Sequence, residues 1–242
     1  GELLFRALLE TSRSKTRDQC AIELLGVFQL YGADACTVDG AILSSVVPPL
    51  TTIFTDAIAR LTGIPPMVVG PGIRTGLNIK AEIHNQLGSD IVASSVAAIA
   101  KYPSPIVMVD MGTATSLSLI VGSVYEGCII MPGLALALDA LSERAAALPP
   151  ISIETASPVG LMGHTTEEAM RSGVLYGHAS MVDGMLERIE ESIGQSVTTV
   201  ATGGNAPRIL RYCKRPIQYD ADLIMTGLYL LYQKNAKKYR KA

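Results

Sequence analysis

The sequence predicts an α/β protein in which strands and helices alternate along the chain. Three observations support this fold class. Apolar runs rich in β-branched residues end at Gly or Pro, segments with helical spacing of apolar residues lie between them, and the connections are short. Such alternation is typical of a layered domain in which helices cover a sheet. The 242 residues suffice for one large domain or for two domains of ordinary size.

The charge and hydropathy of the chain narrow the classes of partner. A formal net charge of −2 and a pI of about 6.0 provide no basic surface for nucleic acid or an anionic membrane. No run of about 18 uninterrupted apolar residues occurs, so no transmembrane helix is predicted. We therefore expect a small-molecule partner, and the mean hydropathy of +0.32 favours association with a further subunit.

The four cysteines lie far apart in the sequence, and none belongs to a CxxC pair: Cys20, Cys36, Cys128 and Cys213. This spacing argues against a zinc site and against a disulfide framework. We predict four buried free thiols, which suit the reducing cytoplasm.

The first third of the chain carries the alternation most clearly. Residues 1–11 are predicted to form the second strand of a hairpin whose first strand would precede Gly1. The elements predicted next are a helix at 15–31, a strand at 41–47, a helix at 50–62 and a short strand at 67–69. Strand, helix and strand with short connections predict the layered α/β domain.

A glycine-rich stretch, Gly-Pro-Gly-Ile-Arg-Thr-Gly-Leu, follows at residues 70–77. The glycines allow a tight turn, and Arg74 is the only charged residue in the stretch. Arg74 either helps to balance phosphate charge or is an ordinary exposed loop residue.

Asp90 comes after Gly88 and Ser89 and just before a small-residue helix predicted at 92–100. Two roles are open for its carboxylate. It can cap this helix, a contribution of about 1 kcal/mol. It can also act as a general base that accepts the proton of a bound alcohol while the oxygen attacks phosphorus.

Residues 106–116 hold an apolar strand that ends in a small-residue turn. Asp110 follows four apolar residues, and Gly112 with Thr113 and Thr115 offers a tight turn, N–H groups and hydroxyls. Such a turn can approach phosphate oxygens, and the carboxylate can hold a metal ion or a water. An ordinary buried strand that ends in a turn is the alternative.

The second half of the chain continues the pattern. The predicted elements are a strand with a turn at 125–133, helices at 134–147 and from Thr165 to about residue 189, a strand at 197–201, and an amphipathic helix at 221–240. His164 and His178 are interpreted as structural or solvent-facing, because no metal-ligand spacing surrounds them. The strand at 197–201 ends in a second glycine turn at 202–204, which suggests a nucleotide held from two sides.

Taken together and in order, these stretches resemble the type III pantothenate kinase family. The resemblance spans essentially the whole chain, and the combination is far more specific than any single glycine turn. The stretches that carry it are residues 42–49, 70–77, 88–90, 110–115, 131–133, 166–173 and 201–204.

The resemblance implies a kinase that phosphorylates pantothenate with ATP, the first committed step towards coenzyme A. It implies two ribonuclease-H-like domains of the actin-like ATPase superfamily, with mixed sheets flanked by helices and the site in the cleft. We expect these domains at 1–104, with the first strands missing, and at 105–242, with helix 221–240 packing back on the first. ATP, Mg²⁺, a monovalent cation (K⁺ or NH₄⁺), a homodimer and a cytoplasmic location are also implied.

The resemblance also implies roles for individual residues. Asp90 matches the catalytic base, and Asp110 matches the residue that binds the monovalent cation. The positions expected to bind substrate are Gly88, Ser89, Ile91 and Thr166. The positions expected to bind the nucleotide are Gly112, Thr113, Thr202, Gly203 and Gly204.

Two features depart from the family pattern. The family reads Gly-Ala-Asp-Arg where this chain has Ile91 after Asp90, so a cation with up to five donors is replaced by an apolar side chain. The family carries an Asp-x-Gly-Asn-Thr phosphate loop on its first strand, which residues 1–242 do not contain, and a molecule without it should bind ATP poorly. Three hypotheses follow: an active pantothenate kinase, a kinase-like paralogue that binds nucleotide or a partner without turnover, and a kinase for a different alcohol.

Overall fold

The computed structural model describes residues 1–80, 87–154 and 159–236, and the chain divides into two compact units. The first unit comprises Gly1–Leu77, Glu82–Ala97 and Ile224–Ala242. The second comprises Asn78–Ala81 and Ala98–Leu223. Mixed α/β structure, with sheets flanked by helices, confirms the predicted fold class. Among the described helices, none is both long and apolar enough to cross a membrane.

The first unit places two short parallel strands among helices. Strand β1 (Ile42–Leu43) pairs with β2 (Met67–Val68). The helices are α1 (Arg17–Leu30), α2 (Pro48–Thr62), the first part of α3 (Ser89–Lys101) and nearly all of α7 (Leu223–Asn235), with a 3₁₀ helix at Ala35–Thr37.

Local signals explain where the helices of the first unit begin and end. Helix α1 starts in a capping box, in which Thr16 accepts from the Gln19 N–H and the Gln19 side chain accepts from the Thr16 N–H. Helix α2 starts with proline at its first position and ends at Gly63, whose φ of 73° is left-handed. These boundaries lie within a few residues of the predicted ones.

Helix α7 crosses α3 at very close range. A Cβ built on Gly227 would lie 1.8 Å from the Ala93 carbonyl oxygen. Only glycine therefore permits this approach of two helix backbones. Val69, Ala93 and Leu231 form the small buried cluster beside the crossing.

The second unit is built on a six-stranded sheet in the order β3-β6-β5-β4-β7-β8. Strand β5 runs antiparallel to both of its neighbours, β4 and β6, whereas β3 is parallel to β6, and β7 and β8 continue parallel to β4. The strand bounds are β3 Asn78–Ile79, β4 Ile106–Met111, β5 Ala114–Val121, β6 Val124–Pro132, β7 Thr198–Thr202 and β8 Gln218–Tyr219.

Helix α5 (Thr166–Ile193) covers one face of this sheet, together with α4 (Leu134–Arg144) and α6 (Ala206–Leu210). Val182 and Leu186 of α5 belong to the same buried cluster as Val107 and Val109 of β4. The long helix predicted from the spacing of apolar residues after Thr165 is confirmed.

A buried carboxylate fastens the end of β8 to the end of α3. Asp220 accepts hydrogen bonds from Lys101 and Tyr102. Burial raises the pKa of Asp220, but these two hydrogen bonds outweigh it and lower the pKa below its ordinary value. Burial, together with the same carboxylate, raises the pKa of Tyr102 to about 12.

Three local predictions are wrong. Residues 1–11 form no strand, and Phe5 instead stacks on Tyr31 at a ring-centroid distance of 4.6 Å. The strand predicted at 41–47 shrinks to β1, because Pro48 begins a helix and the Ser45 hydroxyl bonds the backbone N–H of Val47. The four cysteines are free, but only Cys20 is buried, since Cys36 and Cys128 are exposed and Cys213 is half-buried.

Candidate active site

Two glycine turns meet at one edge of the second unit's sheet. The first turn follows β4 and contains Gly112 and Thr113, and the second follows β7 and contains Gly203 and Gly204. Strands β4 and β7 are parallel, with Asp110 opposite Thr202. Both turns therefore leave the carboxyl edge of the sheet, where ligands of open α/β sheets bind.

Hydrogen bonds from Asn205, one from its backbone and one from its side chain, join the two turns. The Asn205 N–H donates to the Met111 carbonyl at 3.1 Å, and the Asn205 side-chain amide donates to the Gly112 carbonyl at 3.2 Å. On the other side, the Gly133 N–H donates to the Thr113 carbonyl at 3.1 Å. The first turn is thus held between the second turn and the start of α4.

Close backbone approach requires two of these glycines. Gly203 has a φ of 94°, and a Cβ there would lie 2.6 Å from the Met111 carbonyl oxygen and 2.8 Å from Asp110 Oδ1. A Cβ on Gly133 would lie 2.2 Å from the Thr113 carbonyl oxygen. In contrast, a Cβ on Gly204 would meet no described atom within 4 Å. The junction therefore has no room for a side chain at Gly203 or Gly133, whereas Gly204 faces open space.

The donor set of this junction fits a polyphosphate. Thr113 is exposed, the glycines leave backbone groups accessible, and Asp110 is half-buried beside Gly203. Among the described residues, no cluster of three or more His, Cys, Asp or Glu side chains could hold a metal ion. A cation at Asp110 would therefore need carbonyl, hydroxyl or ligand oxygens as its other partners.

Thr115 does not belong to the open face of the turn, although the sequence suggested that its hydroxyl could contact phosphate. It lies in β5 and is fully buried, with its Oγ1 2.9 Å from Nε2 of His178 in α5. His178 is therefore a structural residue, as predicted, and burial lowers the pKa of its imidazole. His164, the other predicted non-ligand, is exposed.

In the first unit, Gly88, Ser89 and Asp90 lie at the start of α3, next to the segment that follows β1. The Ser89 hydroxyl donates to the Ser45 carbonyl at 3.2 Å and lies 2.8 Å from the Ser44 hydroxyl. These contacts hold the first turn of α3 against the carboxyl end of β1.

The carboxylate of Asp90 is half-buried and oriented by its own helix terminus. Its Oδ1 accepts from the Ile91 N–H at 2.8 Å. A Cβ on Gly88 would lie only 2.3 Å from the same oxygen. Glycine at 88 thus gives the Asp90 carboxylate its position, and the half-buried Ile91 side chain supplies an apolar neighbour.

Thr166 is the first residue of α5 and is exposed, while Thr165 caps the helix by accepting from the Glu168 N–H at 3.2 Å. In the second unit, the structure therefore brings Asp110, Gly112, Thr113, Thr202, Gly203 and Gly204 together and places Thr166 at a helix start.

Sequence reasoning assigns no site role to four residues that build these sites: Gly133, Asn205, Ser44 and Ser45. Three of them lie within stretches that carry the resemblance and Asn205 directly follows one, but the residues that Gly133, Asn205 and Ser44 contact are distant in the sequence. Asn205 directly follows the second glycine turn, and an Asn at such a place is a signal for a side-chain bond to a neighbouring backbone.

Comparison with known proteins provides independent evidence. A family model described as type III pantothenate kinase matches residues 2–188. A type III pantothenate kinase from Exiguobacterium sp. strain AT1b is 39% identical over 230 residues, which are 95% of this chain and 89% of the relative. One from Bacillus cytotoxicus is 38% identical over 237 residues, which are 98% of this chain and 90% of the relative.

A solved structure from Campylobacter jejuni, assigned to the Baf family of transcriptional activators, has a similar fold. Its TM-score is 0.50 at 20% sequence identity, and the match covers 71% of this chain and 73% of that one. A likeness at this level of identity supports the fold alone.

Proposed function

The chain belongs to the type III pantothenate kinase family, and from this premise we propose that it transfers the γ-phosphoryl group of ATP to pantothenate, the first step of coenzyme A synthesis. The structural observation that carries the proposal is the junction of two glycine turns beside Asp110. Its exposed Thr113 and open Gly204 fit a polyphosphate chain.

Asp90 is the proposed general base. Its Oδ1 is occupied by the Ile91 N–H, so Oδ2 would accept the proton of the primary alcohol of pantothenate. The alcohol oxygen forms a bond to the γ-phosphorus as the bond from that phosphorus to the β,γ-bridging oxygen breaks, and ADP leaves. Positioning provides most of the rate in such a transfer, which gives Gly88 and Ser89 their proposed role in the acceptor site.

Gly112, Thr113, Thr202, Gly203 and Gly204 are the proposed contacts to ATP. When bound, Mg²⁺ would neutralise charge on the β- and γ-phosphates. We propose that Asp110 contributes a carboxylate oxygen to a monovalent cation, K⁺ or NH₄⁺.

The remaining assignments are proposals on the same premise. Thr166 and Ile91 contact pantothenate, and the active form is a homodimer with domains that divide near residue 104. Helix α7 belongs to the first of these domains. The four free cysteines fit the proposed cytoplasmic location.

One observation favours a second candidate, a kinase-like protein that binds nucleotide or a partner without turnover. Ile91 carries no charge at a position where the resemblance implies an arginine, so a cation for orienting an anionic substrate is absent from this position. The base is retained while one orienting group is lost.

A coupled assay of ADP release separates the two candidates. The chain together with any natural N-terminal extension is incubated with ATP, Mg²⁺, pantothenate and K⁺. We expect ADP release that depends on pantothenate and falls when K⁺ is replaced by Na⁺.

If no pantothenate-dependent ADP release is observed, calorimetry under the same conditions shows whether the protein still binds ATP. Retained ATP binding without pantothenate-dependent ADP release would exclude the kinase and support the non-catalytic candidate. A rate that does not depend on K⁺ would argue against the proposed cation at Asp110 and would leave the proposed kinase activity unaffected.

A further inference from the structure

The loop at residues 70–77 lies at the same sheet edge as the segment that holds Asp90. Strands β1 and β2 are parallel, so their carboxyl ends share an edge. Ser44 follows β1 and contacts Ser89, the neighbour of Asp90, whereas the glycine-rich loop follows β2. Ligands of parallel sheets bind at this edge. Both segments lie in the first unit.

The loop backbone is fastened at Arg74 by the end of helix α7. The Arg74 N–H donates to Asn235 Oδ1 at 3.0 Å, and Asn235 Nδ2 donates to the Arg74 carbonyl at 3.0 Å. Lys234 Nζ donates to the Thr75 carbonyl at 2.9 Å. One amide thus satisfies both backbone groups of Arg74, and an adjacent ammonium holds the next residue.

The loop is also anchored to α3 by packing. Ile73 packs against the buried cluster that includes Ala93, which lies three residues after Asp90 on the same helix. Residues three apart on a helix are neighbours on one face. Arg74 is therefore fixed beside the helix that presents Asp90.

The guanidinium of Arg74 is exposed and makes no hydrogen bond or ion pair with any residue in the described ranges. Arg17 and Arg60 of the same unit, in contrast, both pair with Asp18. The backbone of Arg74 is thus fixed, and its guanidinium has no partner among the described residues that would compete with a carboxylate for two parallel hydrogen bonds.

We propose that Arg74 binds the carboxylate of the acceptor, with Asn235 as the residue that positions it, and thereby selects a carboxylic acid with a primary alcohol. This inference rests on the proposed function, because pantothenate carries such a carboxylate.

The test compares pantothenate with pantothenyl alcohol, in which the carboxylate is replaced by a neutral hydroxymethyl group. Arg74→Gln should raise KM for pantothenate by about 10- to 100-fold while kcat and KM for ATP change little, as expected for a lost charge-assisted pair. The wild type should prefer pantothenate, and the variant should lose that preference because the alcohol gains nothing from Arg74.

Matched variants separate this role from a general loss of structure. Arg60→Gln removes another exposed arginine of the same unit and should leave both KM values unchanged. Arg74→Lys should restore part of the preference, since the charge remains while the fork is lost. Asn235→Leu should reduce the preference in the same direction, with thermal melting as the check that the variant is folded.

Three results would overturn the inference: equal losses for the two acceptors, a rise in KM for ATP instead of pantothenate, or an intact preference in Arg74→Gln. Wild-type turnover tests the proposed function separately. If the wild type binds pantothenate in calorimetry without turnover, the function fails, and the Kd of Arg74→Gln for pantothenate still decides the role of Arg74. If the wild type does not bind pantothenate, both proposals fail.

Discussion

The two aspartates singled out by the sequence lie in regions of different construction. Asp110 belongs to a junction in which two turns are hydrogen-bonded to each other and in which a Cβ added at Gly203 or Gly133 would lie within 3 Å of backbone atoms. Asp90 lies at a helix start that is held by serine hydroxyls and by one N–H. The first region is specified by its backbone, and the second by small side chains.

The two regions should therefore tolerate different substitutions. A side chain added at Gly203 or Gly133 of the Asp110 region must displace backbone, which is costly because these glycines pack against the turn that follows β4. A side chain added to the Asp90 region displaces only the carboxylate itself. We therefore expect stability losses in the second unit and purely catalytic losses in the first.

The largest effect is expected from Asp90→Asn. Removing a general base lowers kcat by about 10²- to 10⁴-fold, and an amide of the same shape should keep the helix start folded. Pantothenate-dependent ADP release and the unfolding midpoint in urea measure the two expectations. Asp56→Asn, at an exposed position of α2, is the matched control. An unchanged rate would remove Asp90 from the mechanism.

Gly203→Ala should come next and should act on stability. Its φ of 94° and the 2.6 Å approach to the Met111 carbonyl oxygen predict a loss of about 3 kcal/mol in the free energy of unfolding, together with weaker ATP binding. Urea unfolding measures the loss. Gly204→Ala has open space around its new methyl and should be near neutral. Equal stabilities of these two variants would contradict the claim that a side chain at residue 203 collides with backbone.

Gly88→Ala tests the Asp90 region, where we expect a loss of activity without a loss of stability. The new methyl would displace the Asp90 carboxylate, whose Oδ1 lies 2.3 Å from the Cβ position. A misplacement of this size lowers kcat by about 10²-fold. The unfolding free energy should change by less than about 1 kcal/mol, since no backbone has to move. Gly26→Ala, in open space on α1, is the control, and a large stability loss in Gly88→Ala would refute the distinction.

The smallest expected effect is a pH dependence of stability that arises from the buried His178 of the second unit. Burial lowers the pKa of His178 from 6.5, so below that pH the unfolded chain gains a proton that the native state resists. Stability should therefore fall between pH 6.5 and 5.5, by at most about 1 kcal/mol. Asp220 and Glu190 titrate below this window because hydrogen bonds lower their pKa values.

Unfolding in urea at pH 7.5, 6.5 and 5.5 measures this dependence. His178→Gln should be less stable but should lose the dependence, because glutamine does not titrate. A wild-type stability that is flat over the window would contradict the assignment.

Sequence reasoning succeeded where a signal and its structural consequence lie close together. Gly63 and Thr165 mark helix ends because capping bonds span three or four residues. It failed for residues 1–11, where an apolar segment lies against the aromatic residues of α1 instead of entering a sheet. It also missed β5, because residues 114–116 are predicted as part of the turn and no element is predicted at 117–121.

Local sequence patterns suffice to identify the fold class, the family, the two glycine turns and the candidates Asp90 and Asp110. The neighbours of these residues follow from tertiary packing. Asn205 bonds Gly112 across 93 positions, and Asn235 bonds Arg74 across 161. Contacts at such separations follow from strand register and helix packing, which depend on the whole chain at once. Local patterns report only what residues do within one turn or strand.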